Sequence, residues 1–201
     1  MKIYSLITIS LLFLLLTSCA IGPLVSHETA RTVGDSKHEL IGGYGSGGLA
    51  VKWNYGLAKN LDLGVQMESY SMGIRAKYAF INASEGFSLA AALGTGLSVG
   101  GSHSYGDILA SVKNGNWEPY ATLRMVHVKT DPVDFKDEST GRFDFKVDSL
   151  NYNYGQFILG TRYWFSPKWL LSVEGSTLFS ASSGLSLANT LLLGAAFGYR
   201  F

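Results

Sequence analysis

The amino-acid sequence predicts an all-β chain closed into an antiparallel barrel that crosses a membrane on its strands. Three observations carry this. Charged residues are 15% of the chain, against about 25% in ordinary soluble domains. Beyond the first residues, no segment is long and apolar enough for a membrane helix. Yet stretch after stretch alternates apolar with polar or small residues, as strands with one lipid face and one lumen face do.

The start of the chain stands apart. Met1 and Lys2 give a short basic beginning, and residues 6–16 are apolar except for Thr8 and Ser10. That run is too short to cross a hydrocarbon core of ~30 Å as a helix. It suits the apolar part of a signal peptide, expected over residues 1–18. Leu16-Thr17-Ser18-Cys19 follows and resembles the bacterial lipobox. The resemblance implies cleavage before Cys19, lipidation of that residue and handling by lipoprotein-processing enzymes. Cys19 is the only cysteine, so an intramolecular disulfide is excluded. Residues 19–36 read as a tether, because Gly22, Pro23, Gly34 and the polar residues between them show no period.

The barrel is expected over residues 37–201, with ten strands at 37–45, 48–56, 60–70, 72–81, 86–99, 103–113, 117–130, 152–165, 168–180 and 189–201. Eight is the alternative count if the first two segments form one irregular element. The last strand ends Gly194-Ala195-Ala196-Phe197-Gly198-Tyr199-Arg200-Phe201. Phe197, Tyr199 and Phe201 share one face. This ending resembles the C-terminal signature of bacterial outer-membrane β-barrels. The resemblance implies that Gly194, Phe197, Tyr199 and Phe201 form an assembly signal read by the barrel assembly machinery. It also implies an address in the bacterial outer membrane, among its lipid.

An anchor at Cys19 in the inner leaflet would put both chain ends in the periplasm and make the strand number even. The periplasmic connections would then be 56–60, 82–85, 114–116 and 166–167, all short and rich in turn formers. The outer ones would be 46–47, a turn near Ser71, 100–102, 130–151 and 181–186. The longest falls outside, as barrels of this kind prefer. Within it, 133–136 and 142–147 alternate and suggest a hairpin.

The outward face would carry Leu49, Val51, Trp53, Leu63, Ile74, Leu93, Leu123, Leu159, Leu171 and Leu193. The lumen would hold Lys52, Asp62, Glu68, Arg75, Lys77, Asp107, Arg124, Arg162, Glu174 and Arg200 as a polar network, with Lys113, Asn54, Gln66 and Gln156. Small residues interleave these charges, as a crowded lumen requires. A soluble lipocalin would need a dense charged exterior instead. Arg162→Gln should cost little on this reading. Aromatic girdles are expected at both rims, with Tyr44, Tyr70, Tyr105, Tyr152, Tyr154 and Phe179 at the outer one.

Chemistry has few candidates. Ser102, His103, Ser104 and Asp107 are residue types of a hydrolase triad, but they are neighbours at one strand end. His27 and His38 lie in or near the tether, and His127 at a strand end. No metal-ligand spacing appears, and no cofactor is expected. A formal net charge of +1 gives no bulk attraction to nucleic acid. The expected role is structural or surface interaction, non-catalytic. A narrow, weakly anion-preferring channel is one alternative, since lumen bases outnumber acids. An outer-membrane lipid-modifying hydrolase is the other.

Overall fold

The computed structural model describes residues 22–136, 144–181 and 191–201. The signal segment, Cys19 and most of the 181–186 connection lie outside the described residues. The strands are β1 (His38–Gly45), β2 (Gly48–Ala58), β3 (Leu61–Glu68), β4 (Ser71–Ile81), β5 (Gly86–Ser98), β6 (Gly101–Lys113), β7 (Trp117–Thr130), β8 (Val133–Lys136), β9 (Asp144–Val147), β10 (Asn151–Trp164), β11 (Trp169–Ser180) and β12 (Leu191–Arg200). All but β8 and β9 close one antiparallel barrel of ten strands. Each pairs with its chain neighbour, and β1 meets β12 at the seam, from Glu39 opposite Arg200 to Gly45 opposite Gly194. β1 and β2 are separate, fully paired strands, which excludes the eight-strand count. β8 and β9 form the expected hairpin within the long β7–β10 connection.

The two faces sort as alternation demands. Leu49, Ile74, Leu93, Ile108, Leu159 and Leu193 are 54–72% exposed on the outside. Lys52, Arg75, Asp107, Arg124, Arg162 and Glu174 are buried inside. An exterior of contiguous Leu, Ile, Val and aromatic side chains around a polar lumen suits hydrocarbon and not water. It inverts the arrangement of a lipocalin.

Two girdle residues are misplaced by the sequence reading. Tyr105 and Tyr154 are buried in the lumen, at 6% and 2% exposure. Parity explains it: Tyr105 lies two residues from Asp107, and Tyr154 two from Gln156, so each shares the inward face. They pack with Val126, Val128 and Leu178 into an apolar layer inside the outer end of the barrel.

The larger correction concerns residues 22–36. They form no strand, as a tether would not, but they run through the lumen from end to end. Pro23 and Leu24 lie at the end bearing the β1–β2 turn, where Leu24 packs against Gly47. Thr32 reaches the opposite end, donating from Oγ1 to the Lys59 carbonyl at 2.7 Å in the β2–β3 turn. Ser36 then donates its backbone N–H to the Gly56 carbonyl at 2.8 Å, and β1 begins. The chain therefore enters β1 from inside the barrel. Residue 22 and Phe201 sit at opposite ends, so the two ends of the barrel-forming chain do not share a side. Ten strands remain even in number; it is the threaded segment that separates the ends.

At the exit the clearance is minimal. A Cβ on Gly56 would stand 1.8 Å from the Gly34 carbonyl oxygen. Backbone cannot yield as a side-chain tip can, so Gly56→Ala must push the segment off β2. We expect a lowered unfolding midpoint in detergent for Gly56→Ala, and no change for Gly42→Ala, whose Cβ position is open.

Candidate functional site

The site is the lumen together with the segment it holds. An extended peptide has no backbone partners of its own, so each buried N–H and C=O must find one on the wall. The wall provides them residue by residue. Glu68 accepts from the N–H of Leu24 at 2.9 Å and of Val25 at 3.2 Å. Gln156 donates to the Leu24 carbonyl at 2.6 Å, and Gln66 to the Val25 carbonyl at 3.2 Å. Glu174 accepts from the N–H of Ser26 at 2.7 Å and of His27 at 2.6 Å. Lys52 donates to the Ser26 carbonyl at 2.5 Å, and Arg162 to that of His27. Lower down, Ser111 accepts from Ala30 N–H at 3.3 Å, Lys77 donates to the Arg31 carbonyl at 2.8 Å, and Asp62 accepts from Val33 N–H at 3.1 Å.

Side chains of the segment join the same network. Glu28 sits amid three cations: Arg75 Nη1 at 2.6 Å, Lys52 Nζ at 3.4 Å and Lys77 Nζ at 3.4 Å. Asn54 donates to it at 3.1 Å. Arg31 approaches Glu118 at 3.6 Å and donates to the Ser84 carbonyl at 2.9 Å. Ala30 fits against Ala79, Ala90, Ala92 and Leu109, where small wall residues leave room for backbone.

The wall also pairs with itself. Arg124 binds Asp107 through Nε at 2.8 Å and Nη2 at 3.0 Å, the two-pronged geometry that strengthens such bonds. Its third arm donates to the Pro23 carbonyl at 2.9 Å. Arg162 Nη1 stands 3.2 Å from Glu39 Oε1, and Arg200 Nη2 2.6 Å from Glu39 Oε2. Tyr120 donates to Glu174 at 2.8 Å. Its ring lies over Gly160, where a Cβ would meet it at 2.3 Å. Lys113 stands apart, at the end bearing the β6–β7 turn, 3.1 Å from Glu85. That hydrogen bond holds the Glu85 carboxyl below the usual range.

The expected lumen residues Lys52, Asp62, Glu68, Arg75, Lys77, Asp107, Arg124, Arg162, Glu174 and Arg200 thus all face inward. Their partners were in part missed. Glu39 and Glu118 obey the same parity as Ile41 and Arg124 and could have been found by counting. Glu28 and His27 could not, because their segment has no period. With Glu28, Glu39 and Glu118 added, and only Arg31 on the other side, the surplus of lumen bases nearly disappears. The tolerance expected of Arg162→Gln also falls, since Arg162 holds both Glu39 and the His27 carbonyl. Removing one partner of a buried ion pair costs about 3–5 kcal/mol; with Arg200 also on Glu39, Arg162→Ala should lie at the lower end of that range. Urea unfolding in detergent micelles would read it.

The hydrolase candidates do not converge. His103 faces the lumen with Nδ1 2.9 Å from Ser98 Oγ. Ser102 and Ser104 flank it and point to the other face, and both Asp107 oxygens are held by Arg124. A second trio, Ser172, His27 and Glu174, lies deep in the lumen. There Ser172 Oγ at 3.2 Å and Glu174 Oε2 at 3.6 Å both approach the same ring nitrogen, His27 Nδ1. A triad needs its acid and its nucleophile on different nitrogens. The other nitrogen, Nε2, faces Gly194, with 3.2 Å to where a Cβ would stand.

The proposed assembly residues Gly194, Phe197, Tyr199 and Phe201 lie on or just past β12. Tyr199 stacks with Phe201 at 5.7 Å between ring centroids and meets Trp169 at a tilt, 4.3 Å away. Phe201 stacks on His38 at 5.1 Å, placing that histidine in an aromatic cluster at the rim.

No family model matches the chain, and no curated protein matches it. Among solved structures it is similar to the NanC porin, with 11% identity over 82% of this chain and 98% of that one, at a TM-score of 0.49. It is similar to the outer-membrane protease OmpT of Escherichia coli, with 12% identity over 87% and 98% of the two chains and a TM-score of 0.48. It is also similar to the N-terminal β-barrel domain of Pseudomonas aeruginosa OprF, with 11% identity over 82% and 96% and a TM-score of 0.42. At these identities the likeness concerns the barrel and not its use.

Proposed function

We propose that this chain is a small outer-membrane β-barrel lipoprotein, lipidated at Cys19, with a structural or surface-interaction role and no catalytic one. The observation that carries the closed, non-conducting part of this reading is the lumen filled by residues 23–33, whose backbone the wall binds as it would bind a ligand. A passage for solutes would have to displace a peptide held at nearly every residue. The apolar exterior supports a membrane position. The β12 aromatics support recognition of the C-terminal strand by assembly machinery. The separation of Ser102 and Ser104 from His103 supports a non-catalytic role.

The purified protein in planar bilayers should therefore be electrically silent over the usual voltage range. Steady conductance steps from the wild-type chain would overturn the closed reading and favour the channel. Incorporation of labelled palmitate that survives Cys19→Ala would overturn the anchor.

A further inference from the structure

We propose that the chain before Gly22 emerges at the cell-surface mouth of the barrel, so that a lipid on Cys19 is seated at the outer leaflet and not the inner one. The proposal rests on the outer-membrane lipoprotein reading above, and its tests separate the two.

The direction of threading is set by contacts at both ends. At Gly22 a Cβ would lie 2.7 Å from Val126 and 3.0 Å from the Tyr154 hydroxyl. Val126 and Tyr154 belong to the ends of β7 and β10 that flank the long connection. Leu24 packs on Gly47 and donates to Glu68, beside the β1–β2 and β3–β4 turns of that same end. The other end carries only turns of two to four residues, with Phe201 and Ser36, while the long β7–β10 and β11–β12 connections both leave from the Gly22 end. Bacterial barrels place short turns in the periplasm and long connections outside. Gly22 is therefore at the outer mouth.

Chain length then decides where Cys19 can go. Gly22 is three residue steps from it, and an extended chain covers at most ~3.6 Å per residue. A reach of roughly 11 Å cannot return through an apolar band about 25 Å tall. Seating of residues 22–36 in the lumen and insertion of a Cys19 lipid in the periplasmic leaflet exclude one another. The segment would have to leave the barrel before the anchor could sit below.

The experiment uses two variants of the full-length protein in cells. Ile21→Cys is treated with a membrane-impermeant maleimide polymer before and after the outer membrane is permeabilised, with the wild type as the control for Cys19 itself. Ala30→Cys/Ser111→Cys tests the seating, since the Ala30 nitrogen lies 3.3 Å from Ser111 Oγ. We expect equal labelling of Ile21→Cys in intact and permeabilised cells, and a disulfide-dependent mobility shift of the double variant in the outer-membrane fraction. Labelling that requires permeabilisation, or is absent in both states, overturns the outward emergence. A double variant that reaches the outer membrane folded but stays reduced under oxidant overturns the threading. Palmitate incorporation is read on the same samples. Its loss with surface labelling retained would remove the lipid and leave the topology standing. Its presence with labelling only after permeabilisation would do the reverse.

Discussion

Glu28→Ala should destabilise the folded barrel by about 3–5 kcal/mol, the cost of leaving a buried ionic partner uncompensated. The reason is local crowding of like charge. Arg75, Lys52 and Lys77 converge on the Glu28 carboxylate at 2.6–3.4 Å. Of the three, Lys77 alone has a second acid within ion-pair distance among the described residues, Asp62 at 3.1 Å. With the carboxylate gone, Arg75 and Lys52 face each other in a confined space. Glu28→Gln should be milder, because an amide oxygen can still accept from Asn54 and Arg75. The measurement is the urea midpoint of the barrel folded in lipid vesicles, followed by heat-modifiable mobility. Equal midpoints for Glu28→Ala and the wild type would show that the cations are hydrated and that the lumen is wetter than the contacts imply.

The second large effect is expected on the opposite face. Leu159 is 54% exposed on the exterior of β10, opposite Ala121 and Gly175, which offer no cover. Leu159→Arg puts a charge in hydrocarbon, at about 2–4 kcal/mol near the midplane of a barrel. Leu171→Arg on β11 should behave alike. Single cysteines at 159 and 171 on a Cys19-free background, carrying a fluorophore, should be quenched by spin labels on lipid chains. A fully aqueous, unquenched response at both would end the membrane reading, whatever the stability data show.

The strands were legible because their two faces meet unlike surroundings. Alternation at period two recorded lipid on one side and polar lumen on the other, and it placed Lys52, Arg75, Arg124 and Arg162 correctly. It would have placed Tyr105 and Tyr154 too; there the aromatic character of a strand end was given more weight than the parity of Asp107 and Gln156. The threaded segment left no such record. Its backbone is satisfied by scattered side chains of distant strands, so nothing repeats along it. Glu28 meets Arg75, and His27 meets Glu174, only after the barrel has closed. What residues 25–33 do show in sequence is a mixture of Val, Ala and Thr with lone charges, which suits a buried environment better than a solvated leader. That signal is compositional and gives no position.

The seam between β1 and β12 has a kinetic consequence. The segment that fills the bore is joined directly to β1, one of the two strands whose pairing shuts the ring. If the Cys19 end carries the proposed lipid, a closed ring cannot be threaded afterwards, and the filling would have to lie in place before β1 and β12 meet. Its bonds to Glu174 and Arg162 bridge separations of 148 and 135 residues, contacts of the kind that form slowly. Maturation would then resemble winding a sleeve on a rod: the peptide is the former around which the strands are laid, and sealing of the seam is the last event. Variants that loosen Glu28 or Gly56 should therefore accumulate as open, protease-sensitive sheets during assembly, even where the finished cylinder survives.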